Sequence, residues 1–441
     1  MTAATRDAWS DRAHARFPQG SNGEYDFPGG WSPIFVRGTG AELWDTSGRR
    51  WVDYTMAWGS ALVGHAHPAL VDAVARAAAL GVNFAAMSDG LVRLAERLTG
   101  SAIAPWLERV RFVTSGSEAT GTAIRIARGA TGRRKVLKFE GAFHGSHVEG
   151  VANFIWGNRA RYPHAEPTGT GGASAVDDIL VCPYNDTDAF LALIDAHGAA
   201  MAAVVLDPVQ RSILAEPAFV RAIRSATARH HVPFILDEVV SGFRLGLGGA
   251  AAHYDVVPDL VAYGKALGGG FPIAMVGGRT DLMDEVREER HTTDRYVWAA
   301  STTGGSPVGA AAAHAVLDVL AEANAYDRLY ASGARLRSGI ERVVTSHGLP
   351  VVTYGRGPLV QFRLSKTPVR DLATEALADA GQRRHLDLAM VERGIFINPM
   401  LTKIYVSLAH GAAEIDEYLA ALDAALGSAI FDGAWHRPEV V

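Results

Sequence analysis

The middle of the chain alternates short apolar runs with stretches of helical pattern, and this alternation constrains the fold more than any other feature. Helical patterns such as Glu118–Arg128 and Ala218–His230 separate the apolar runs. Nearly continuous apolar runs are typical of strands covered on both faces, so we predict an α/β domain with a mainly parallel, seven-stranded sheet. The predicted strands are Arg109–Thr114, Lys135–Phe139, Ile179–Cys182, Ala202–Leu206, Pro233–Asp237, Leu260–Tyr263 and Ile273–Gly277.

The two ends of the chain predict a second, smaller α+β domain. Residues 25–55 contain three β-type runs around the turn Thr46-Ser47-Gly48, which is the signal of a β-meander. After Asp327 the pattern gives a long helix, short strands and further helices, the last one beginning at Ala413. We therefore expect residues 1–65 and 327–441 to form the small domain and residues 66–326 the large one.

Charge and composition exclude several functional classes. The chain has 42 basic and 47 acidic residues, so no basic excess is available to bind nucleic acid. No run reaches the roughly 18 apolar residues of a membrane span, and residues 1–17 lack the apolar core of a signal peptide. The single cysteine, Cys182, excludes a disulfide framework and a cysteine-based zinc site. We expect a soluble, cytoplasmic protein without a metal centre.

A candidate phosphate site follows the first strand of the large domain. Ser115-Gly116-Ser117 lies between that strand and a helical pattern. Small residues at such a turn expose backbone N–H groups at a helix N-terminus, where the helix dipole also favours an anion. The alternative is an ordinary serine cap of the helix without a ligand.

Two further residues point to chemistry at the ends of strands. Asp237 ends an apolar run, and a carboxylate there can keep a ring nitrogen of a bound ligand protonated. Lys265 follows another strand and precedes Gly268-Gly269-Gly270. A buried lysine loses basicity and becomes a nucleophile for a carbonyl group. The alternatives are a solvated carboxylate and a surface lysine.

An aromatic pair follows the predicted strand Lys135–Phe139. Phe143 could stack on a flat ring, or it could simply pack in the core. His144 could contribute to the same site, or it could be an ordinary buried histidine.

Together these motifs resemble the class III aminotransferases that use pyridoxal 5′-phosphate (PLP), and most closely their glutamate-1-semialdehyde aminomutase branch. The resemblance covers most of the chain, and the spacing between Asp237 and Lys265 also fits it. The motifs that carry it are Gly64-His65-Ala66-His67-Pro68, Ser115-Gly116-Ser117-Glu118-Ala119, Lys138-Phe139-Glu140-Gly141, Asp237-Glu238-Val239-Val240-Ser241-Gly242-Phe243-Arg244 and Gly264-Lys265-Ala266-Leu267-Gly268-Gly269-Gly270.

The resemblance implies PLP fold type I and a homodimer with active sites at the subunit interface. It implies that Lys265 carries the cofactor as a Schiff base and moves the proton, that Asp237 pairs with the pyridine nitrogen, and that Trp58 walls the substrate pocket. Thr302 would reach the phosphate of the neighbouring subunit. The implied cofactor contacts are Ser115, Gly116, Ser117, Phe143, His144, Asp237, Val239, Lys265, Ser301 and Thr302.

The substrate side departs from the aminomutase branch. Glu24 and Asp26 stand where that branch has an arginine that grips a substrate carboxylate. They would repel a carboxylate and could hold an ammonium or hydroxyl groups instead. Arg211 could supply a replacement contact to a carboxylate. The alternatives are that Arg37 serves this purpose, or that this loop is merely surface.

We predict a PLP-dependent aminotransferase that moves an amino group from a small-molecule amine donor to an aldehyde or ketone acceptor. Glu24 and Asp26 favour a hydroxylated or cationic acceptor, such as an aminosugar of a secondary pathway. One alternative keeps the cofactor and is an intramolecular aminomutase or an epimerase. Another is a non-catalytic binding protein on the same scaffold, which would need a damaged catalytic set, whereas Lys265 and Asp237 are both present.

Overall fold

The computed structural model describes residues 8–23, 27, 33–154, 162–167, 169–398 and 403–428. The seven predicted strands of the large domain begin and end within one residue of the observed ones. The strands of the described residues are β1 (Phe35–Thr39), β2 (Glu42–Asp45), β3 (Arg50–Asp53), β4 (Arg109–Val113), β5 (Lys135–Phe139), β6 (Ile179–Cys182), β7 (Met201–Leu206), β8 (Val209–Gln210), β9 (Ile213–Leu214), β10 (Phe234–Glu238), β11 (Leu260–Tyr263), β12 (Ala274–Gly278), β13 (Val352–Tyr354), β14 (Leu359–Arg363), β15 (Ile395–Phe396) and β16 (Ile404–Tyr405).

Helices separate most of these strands along the chain. The α-helices of the described residues are α1 (Ala8–His14), α2 (Met56–Gly59), α3 (Pro68–Leu80), α4 (Asp89–Leu98), α5 (Gly116–Thr131), α6 (Val148–Val151), α7 (Thr187–His197), α8 (Pro217–Arg229), α9 (Gly249–Tyr254), α10 (Thr280–Met283), α11 (Pro307–Leu320), α12 (Ala325–Ser346), α13 (Leu372–Glu375), α14 (Ala380–Glu392) and α15 (Ala412–Leu426). Short 3-10 helices lie at Pro18–Gly20, Ala173–Val176, Gly198–Ala200, Lys265–Gly268, Asp284–Val286 and Glu288–Arg290.

The large sheet has seven strands in the order β4-β12-β11-β10-β7-β5-β6. Strand β12 runs antiparallel to both of its neighbours, and the other neighbouring pairs are parallel. This confirms the predicted α/β class with a mainly parallel sheet. Because of these directions, five strands end at the same edge of the sheet, which positions the site: β4, β5, β7, β10 and β11.

Helices cover both faces of this sheet. Helix α5 packs on β7, β11 and β12, and α8 packs on β10. Strands β6, β7, β10, β11 and β12 are buried along their whole length, which agrees with their apolar sequences. Among the described residues, none of the helices is both long and apolar enough to cross a membrane.

The two ends of the chain meet in one small sheet. Strands β1, β2 and β3 form the predicted meander, and β15 from the C-terminal part adds to β3 in parallel, pairing Ile395 with Val52. A second sheet, β13-β14-β16, packs under α12, which also contacts α15. Trp51, Tyr54 and Tyr418 lie in the core that these elements share. The domain boundaries near residues 65 and 327 stay predictions.

Candidate active site

The sequence motifs gather at the edge where the parallel strands end. Asp237 is the second-last residue of β10, and Lys265 comes two residues after β11 ends. Phe143 and His144 follow β5, and Ser115 to Ser117 follow β4. Strand ends at one edge of an α/β sheet are the usual place for a ligand. The fold therefore places four separate motifs around one site.

The turn before α5 has the shape of a phosphate cradle. A Cβ added to Gly116 would stand 2.6 Å from Cγ1 of Val239, so only glycine lets the backbone approach this closely. The Ser117 hydroxyl accepts a hydrogen bond from the backbone N–H of Ser146 at 3.1 Å. The backbone N–H groups of Gly116 and Ser117 open a helix of 16 residues, whose dipole favours an anion.

The Ser115 side chain caps helix α5. Its hydroxyl accepts a hydrogen bond from the backbone N–H of Glu118 at 3.2 Å, and the Glu118 carboxylate accepts one from the Ser115 N–H at 3.2 Å. This reciprocal pair is a capping box. The Ser115 hydroxyl therefore caps the helix, and a role of Ser115 in cofactor binding stays a prediction.

Ser301 and Thr302 lie on opposite sides of one turn. Ser301, Ser117 and Arg125 line a cavity of about 250 Å³ near the start of α5. Thr302 is exposed, and its carbonyl oxygen accepts a hydrogen bond from the side-chain amide of Asn83 at 2.8 Å. Ser301 therefore faces the cradle of its own chain, while Thr302 faces outward.

Asp237 is buried and both of its carboxylate oxygens are engaged. Oδ2 lies 2.7 Å from Nδ1 of His144, and Oδ1 accepts a hydrogen bond from the backbone N–H of Val239 at 3.0 Å. Burial lowers the pKa of His144, although the contact with Asp237 opposes that effect. A neutral imidazole therefore donates its Nδ1 proton to the carboxylate, which holds Asp237 in one orientation.

Lys265 has the properties of a reactive amine. Burial is the largest cause that lowers its pKa to about 8, and a second lysine, Lys403, adds to this effect. The carboxylates of Asp237 and Asp207 act in the opposite direction. A lysine with this pKa carries a substantial neutral fraction near pH 7.5, as a nucleophile for a carbonyl group requires.

Phe143 and Val239 are the two side chains that the resemblance implies on the faces of the cofactor ring. The Phe143 side chain is 42% exposed, although its ring packs against Phe154 with centroids 5.0 Å apart. Val239 is buried between Gly116 and Gly264, and a Cβ added to Gly264 would stand 3.5 Å from Cγ1 of Val239. An exposed ring on one side and a methyl surface on the other can enclose a flat heterocycle.

The predicted substrate residues Trp58 and Arg211 both lie on strained backbone. Their φ angles are 57° and 50°, and Lys265 has a φ of 43°. Non-glycine residues in the left-handed region cost on the order of 1–3 kcal/mol each and collect at functional sites. Helix α2, which carries Trp58, contacts the 3-10 turn Lys265–Gly268.

Arg211 occupies the tight turn between β8 and β9. Its Nη2 donates to the carbonyl oxygen of Phe154 at 3.4 Å, and its guanidinium carbon lies 5.7 Å from the centre of the Phe154 ring. The buried Nε atom has no hydrogen-bond partner in the described part of the chain. Ser212, the other residue of this turn, has a φ of 68°.

The N-terminal part contains an acidic pair and Arg37 as predicted or alternative substrate contacts. Glu24 and Asp26 lie outside the described residues. Arg37, the alternative carboxylate contact, lies on the exposed strand β1, where its guanidinium stacks 3.7 Å from the centre of the Trp44 ring.

Sequence reasoning missed the basic residue Lys403 and the part that Asp207 takes in the site. Asp207 follows β7 and is buried beside Asp237, while Lys403 precedes β16. The negative charges of Asp207 and Asp237 both act to raise the pKa of Lys265 and of Lys403. The position of Asp207 at the end of an apolar strand could have identified it as a site residue. No feature of the sequence pointed to Lys403.

Comparison with known proteins decides the family. Residues 31–426 match the family model described as aminotransferase class III. The chain belongs to the class III aminotransferases. The glutamate-1-semialdehyde 2,1-aminomutase of Thermomicrobium roseum is 37% identical over 425 residues, which are 94% of this chain and 96% of that protein.

Solved structures agree. An omega-transaminase from Sphaerobacter thermophilus superposes with a TM-score of 0.87 and 34% identity, covering 95% of this chain and 96% of that one. A structure described as a transaminase with PLP bound gives a TM-score of 0.86 and 27% identity, covering 97% and 98%. The chain therefore has PLP fold type I, and it is a PLP-dependent enzyme.

The residues present fit this cofactor. The cradle at Gly116 and Ser117 suits a phosphate, and the buried Asp237 suits a protonated ring nitrogen. Lys265 has the lowered pKa that a Schiff-base lysine needs. No group of three or more residues able to hold a metal ion occurs in the described ranges.

Proposed function

We propose that the enzyme transfers an amino group from a small-molecule amine to an aldehyde or ketone, with Lys265 and Asp237 as its catalytic residues. The observation that carries this proposal is the placement of a lysine of pKa about 8 beside a buried, oriented carboxylate at one edge of the sheet. The family membership supplies the reaction class, and the residue roles are inferred from the geometry.

When bound, PLP supplies an electron-withdrawing ring that stabilises negative charge at the carbon next to the transferred nitrogen. Asp237 would hold a proton on the ring nitrogen, and His144 keeps Asp237 in place. Nζ of Lys265 would accept and return the proton at the reacting carbon of the substrate. The N–H groups of Gly116 and Ser117 would bind the phosphate. His144 and Ser115 would act indirectly, through Asp237 and through the start of α5.

Arg211 and Trp58 are proposed to border the substrate. The support for Arg211 is its buried Nε, which has no hydrogen-bond partner among the residues that the structure describes, and the strained turn that holds it next to Phe154. Such a guanidinium suits a substrate carboxylate. The expectation of a hydroxylated or cationic acceptor, such as an aminosugar, rests on Glu24 and Asp26 and stays a prediction.

A homodimer in the cytoplasm completes the proposal. The segment after α3 exposes apolar side chains, with Leu80 at 84% and Met87 at 67% exposure. Asn83 in this segment binds the carbonyl oxygen of Thr302. An apolar surface next to Thr302 supports the inference that a second subunit covers this face and receives Thr302. Sedimentation of the purified protein at several concentrations would test it, with a monomer at all concentrations as the contrary result.

A second candidate function is favoured by the relatives. The Thermomicrobium roseum protein bears the name of an aminomutase, and an intramolecular aminomutase needs no separate donor and acceptor. A product assay distinguishes the two functions. An enzyme charged with ¹⁵N-labelled amine donor and unlabelled acceptor should deliver ¹⁵N to the acceptor if it is an aminotransferase. Isomerisation of a single amino aldehyde, without label exchange between different substrates, would favour the aminomutase.

A further inference from the structure

Helix α2 is a single turn, and most of its backbone is left-handed. Met56, Ala57 and Trp58 have φ angles of 44°, 50° and 57°, and Gly59 follows at 83°. A run of left-handed non-glycine residues is rare, because each Cβ stands too close to the following carbonyl oxygen. Such a run persists only where the surrounding structure holds it, and it then points to a functional constraint.

The carboxylate of Asp53 holds the start of this turn. Asp53 ends β3 and is fully buried. Its Oδ1 accepts hydrogen bonds from the backbone N–H of Thr55 at 2.7 Å, from the Thr55 hydroxyl at 2.7 Å and from the backbone N–H of Met56 at 3.0 Å. One carboxylate oxygen thereby fixes the two residues at the entry to the left-handed run.

His65 binds the other oxygen of the same carboxylate. Its Nε2 lies 2.7 Å from Oδ2 of Asp53, and an ionised carboxylate only accepts, so the imidazole donates. The backbone of His65 exchanges two hydrogen bonds with that of Gly40, at 2.7 and 2.8 Å. Its ring packs on β1, where a Cβ added to Gly38 would stand 3.1 Å from its Cγ. The carboxylate therefore has donors on both oxygens, which hold it in one orientation.

Other elements hold the far end of the turn and the backbone of Asp53. Arg244 donates to the carbonyl oxygen of Gly59, and a Cβ added to Gly59 would stand 2.5 Å from Cε1 of Tyr405. Nε2 of His410 lies 3.0 Å from the carbonyl oxygen of Asp53. Burial lowers the pKa of His410 to about 4, so a neutral ring donates this hydrogen bond. The turn is therefore held at both ends.

The same turn lies against the candidate active site. It contacts the 3-10 turn that begins at Lys265. Trp58, the last non-glycine residue of the left-handed run, is half-buried. While the backbone of Trp58 is held, its indole has few alternative positions, because the rotamers of a side chain depend on its φ and ψ angles.

We propose that His65 is a positioning residue: through Asp53 it holds the left-handed turn, and the turn fixes the indole of Trp58 where it limits the size of the amine that reaches the cofactor. This inference rests on the proposed function, because it takes Trp58 as a residue that borders the substrate. It also gives a role to the motif Gly64-His65-Ala66-His67-Pro68, which contributes none of the proposed cofactor contacts.

The first measurement is hydrogen–deuterium exchange of the full-length chain, freed of PLP. In His65→Leu, residues 55–62 should exchange at least about tenfold faster, because the loss of a hydrogen bond to a charged group corresponds to about that factor. His65→Gln should exchange like the wild type, since its side-chain amide can still donate to Asp53. The matched control is His230→Leu, because His230 pairs with Asp195 of α7 at 2.8 Å, and it should leave residues 55–62 unchanged.

The second measurement uses the PLP-loaded enzyme and two reagents that attack the PLP–lysine linkage, the small methoxyamine and the bulky O-benzylhydroxylamine. The rates at which they remove the absorbance band of lysine-bound PLP give a ratio that reports the size limit. In His65→Leu the bulky reagent should gain at least about fivefold on the small one, because the wall of the pocket is no longer fixed. His65→Gln and His230→Leu should keep the wild-type ratio, and Trp58→Ala should change it in the same direction as His65→Leu.

Three results would overturn the proposal. The first is wild-type exchange of residues 55–62 in His65→Leu. The second is faster exchange with an unchanged reagent ratio, because the contact with Asp53 would then be only structural. The third is a glutamine variant that behaves like the leucine variant. If His65→Leu does not fold, His65→Asn replaces it, since its shorter side chain does not reach Oδ2 of Asp53.

An unchanged ratio in Trp58→Ala would instead refute the position of Trp58 in the proposed function, and this inference with it. The exchange measurement needs neither the cofactor nor Trp58, so the two failures are distinguishable.

Discussion

The contact between His144 and Asp237 should contribute a measurable coupling energy. The two side chains are 1% and 5% exposed, and the Nδ1 and Oδ2 atoms lie 2.7 Å apart. Because burial lowers the pKa of His144, the bond joins a neutral donor to a charged acceptor. Such a bond contributes about 1.5–3 kcal/mol to the free energy of unfolding. The variants His144→Ala and Asp237→Ala, alone and combined, should therefore be non-additive by about this amount.

The assay is urea unfolding of the PLP-free chain at a fixed protein concentration. Circular dichroism and tryptophan fluorescence must give coincident transitions, because only then does a single free energy apply. Pairing Asp237→Ala with His410→Ala provides the control, since His410 is equally buried but contacts Ser407 instead. Additivity within about 0.5 kcal/mol for the His144 pair would refute the reasoning.

Three further predictions follow from single residues. Between about pH 7 and 9 the free energy of unfolding of the wild type should rise by about 2–3 kcal/mol more than that of Lys138→Met. Burial lowers the pKa of Lys138 to about 7 from 10.5 in the unfolded chain, so stability is lost as the pH falls from the unfolded value toward the folded one. Equal slopes in urea titrations at several pH values would contradict this. Gly145→Ala should weaken PLP binding at least about tenfold in a fluorescence titration, because its Cβ would stand 2.6 Å from the Cα of Ser117. A loss of about 1.4 kcal/mol of binding free energy gives that factor. The control is Gly171→Ala, which has a similar left-handed backbone but open space around it and should bind PLP normally. Ser115→Ala should lower the free energy of unfolding by about 1 kcal/mol, because the helix loses its cap. It should affect PLP affinity less than Ser117→Ala does. A stability equal to that of the wild type would show that the cap is not needed.

Much of the fold, and most residues proposed to contact the cofactor, could be predicted from local sequence. The apolar strand Leu260–Tyr263 could be predicted to the residue, because its composition and the following glycines are local signals. The antiparallel direction of β12 could not be predicted, since a five-residue apolar strand has the same pattern in both directions and only its neighbours in the sheet decide it. Local patterns identified the strand ends that carry the motifs, and the sheet places these strand ends at one edge, where they form the candidate site.

The substrate side depends on contacts that sequence does not encode locally. Asp207 comes to lie next to Asp237 only because β7 and β10 are neighbours in the sheet, and strand order is a property of the whole fold. Lys403 reaches the site from the opposite end of the chain through β16. The left-handed backbone of Arg211 is also unexpected, since a turn with two positive φ angles normally selects asparagine or glycine.

The central claim is that Lys265 carries the cofactor, and a visible absorbance spectrum tests it most directly. The purified protein is measured with and without added PLP, beside Lys265→Ala and the nearby Lys403→Arg as a charge-conserving control. We expect a pH-sensitive band of lysine-bound PLP in the wild type and in Lys403→Arg, and its loss in Lys265→Ala even with excess PLP. The same pH-sensitive band in Lys265→Ala, or no such band in the wild type at any PLP concentration, would contradict the account.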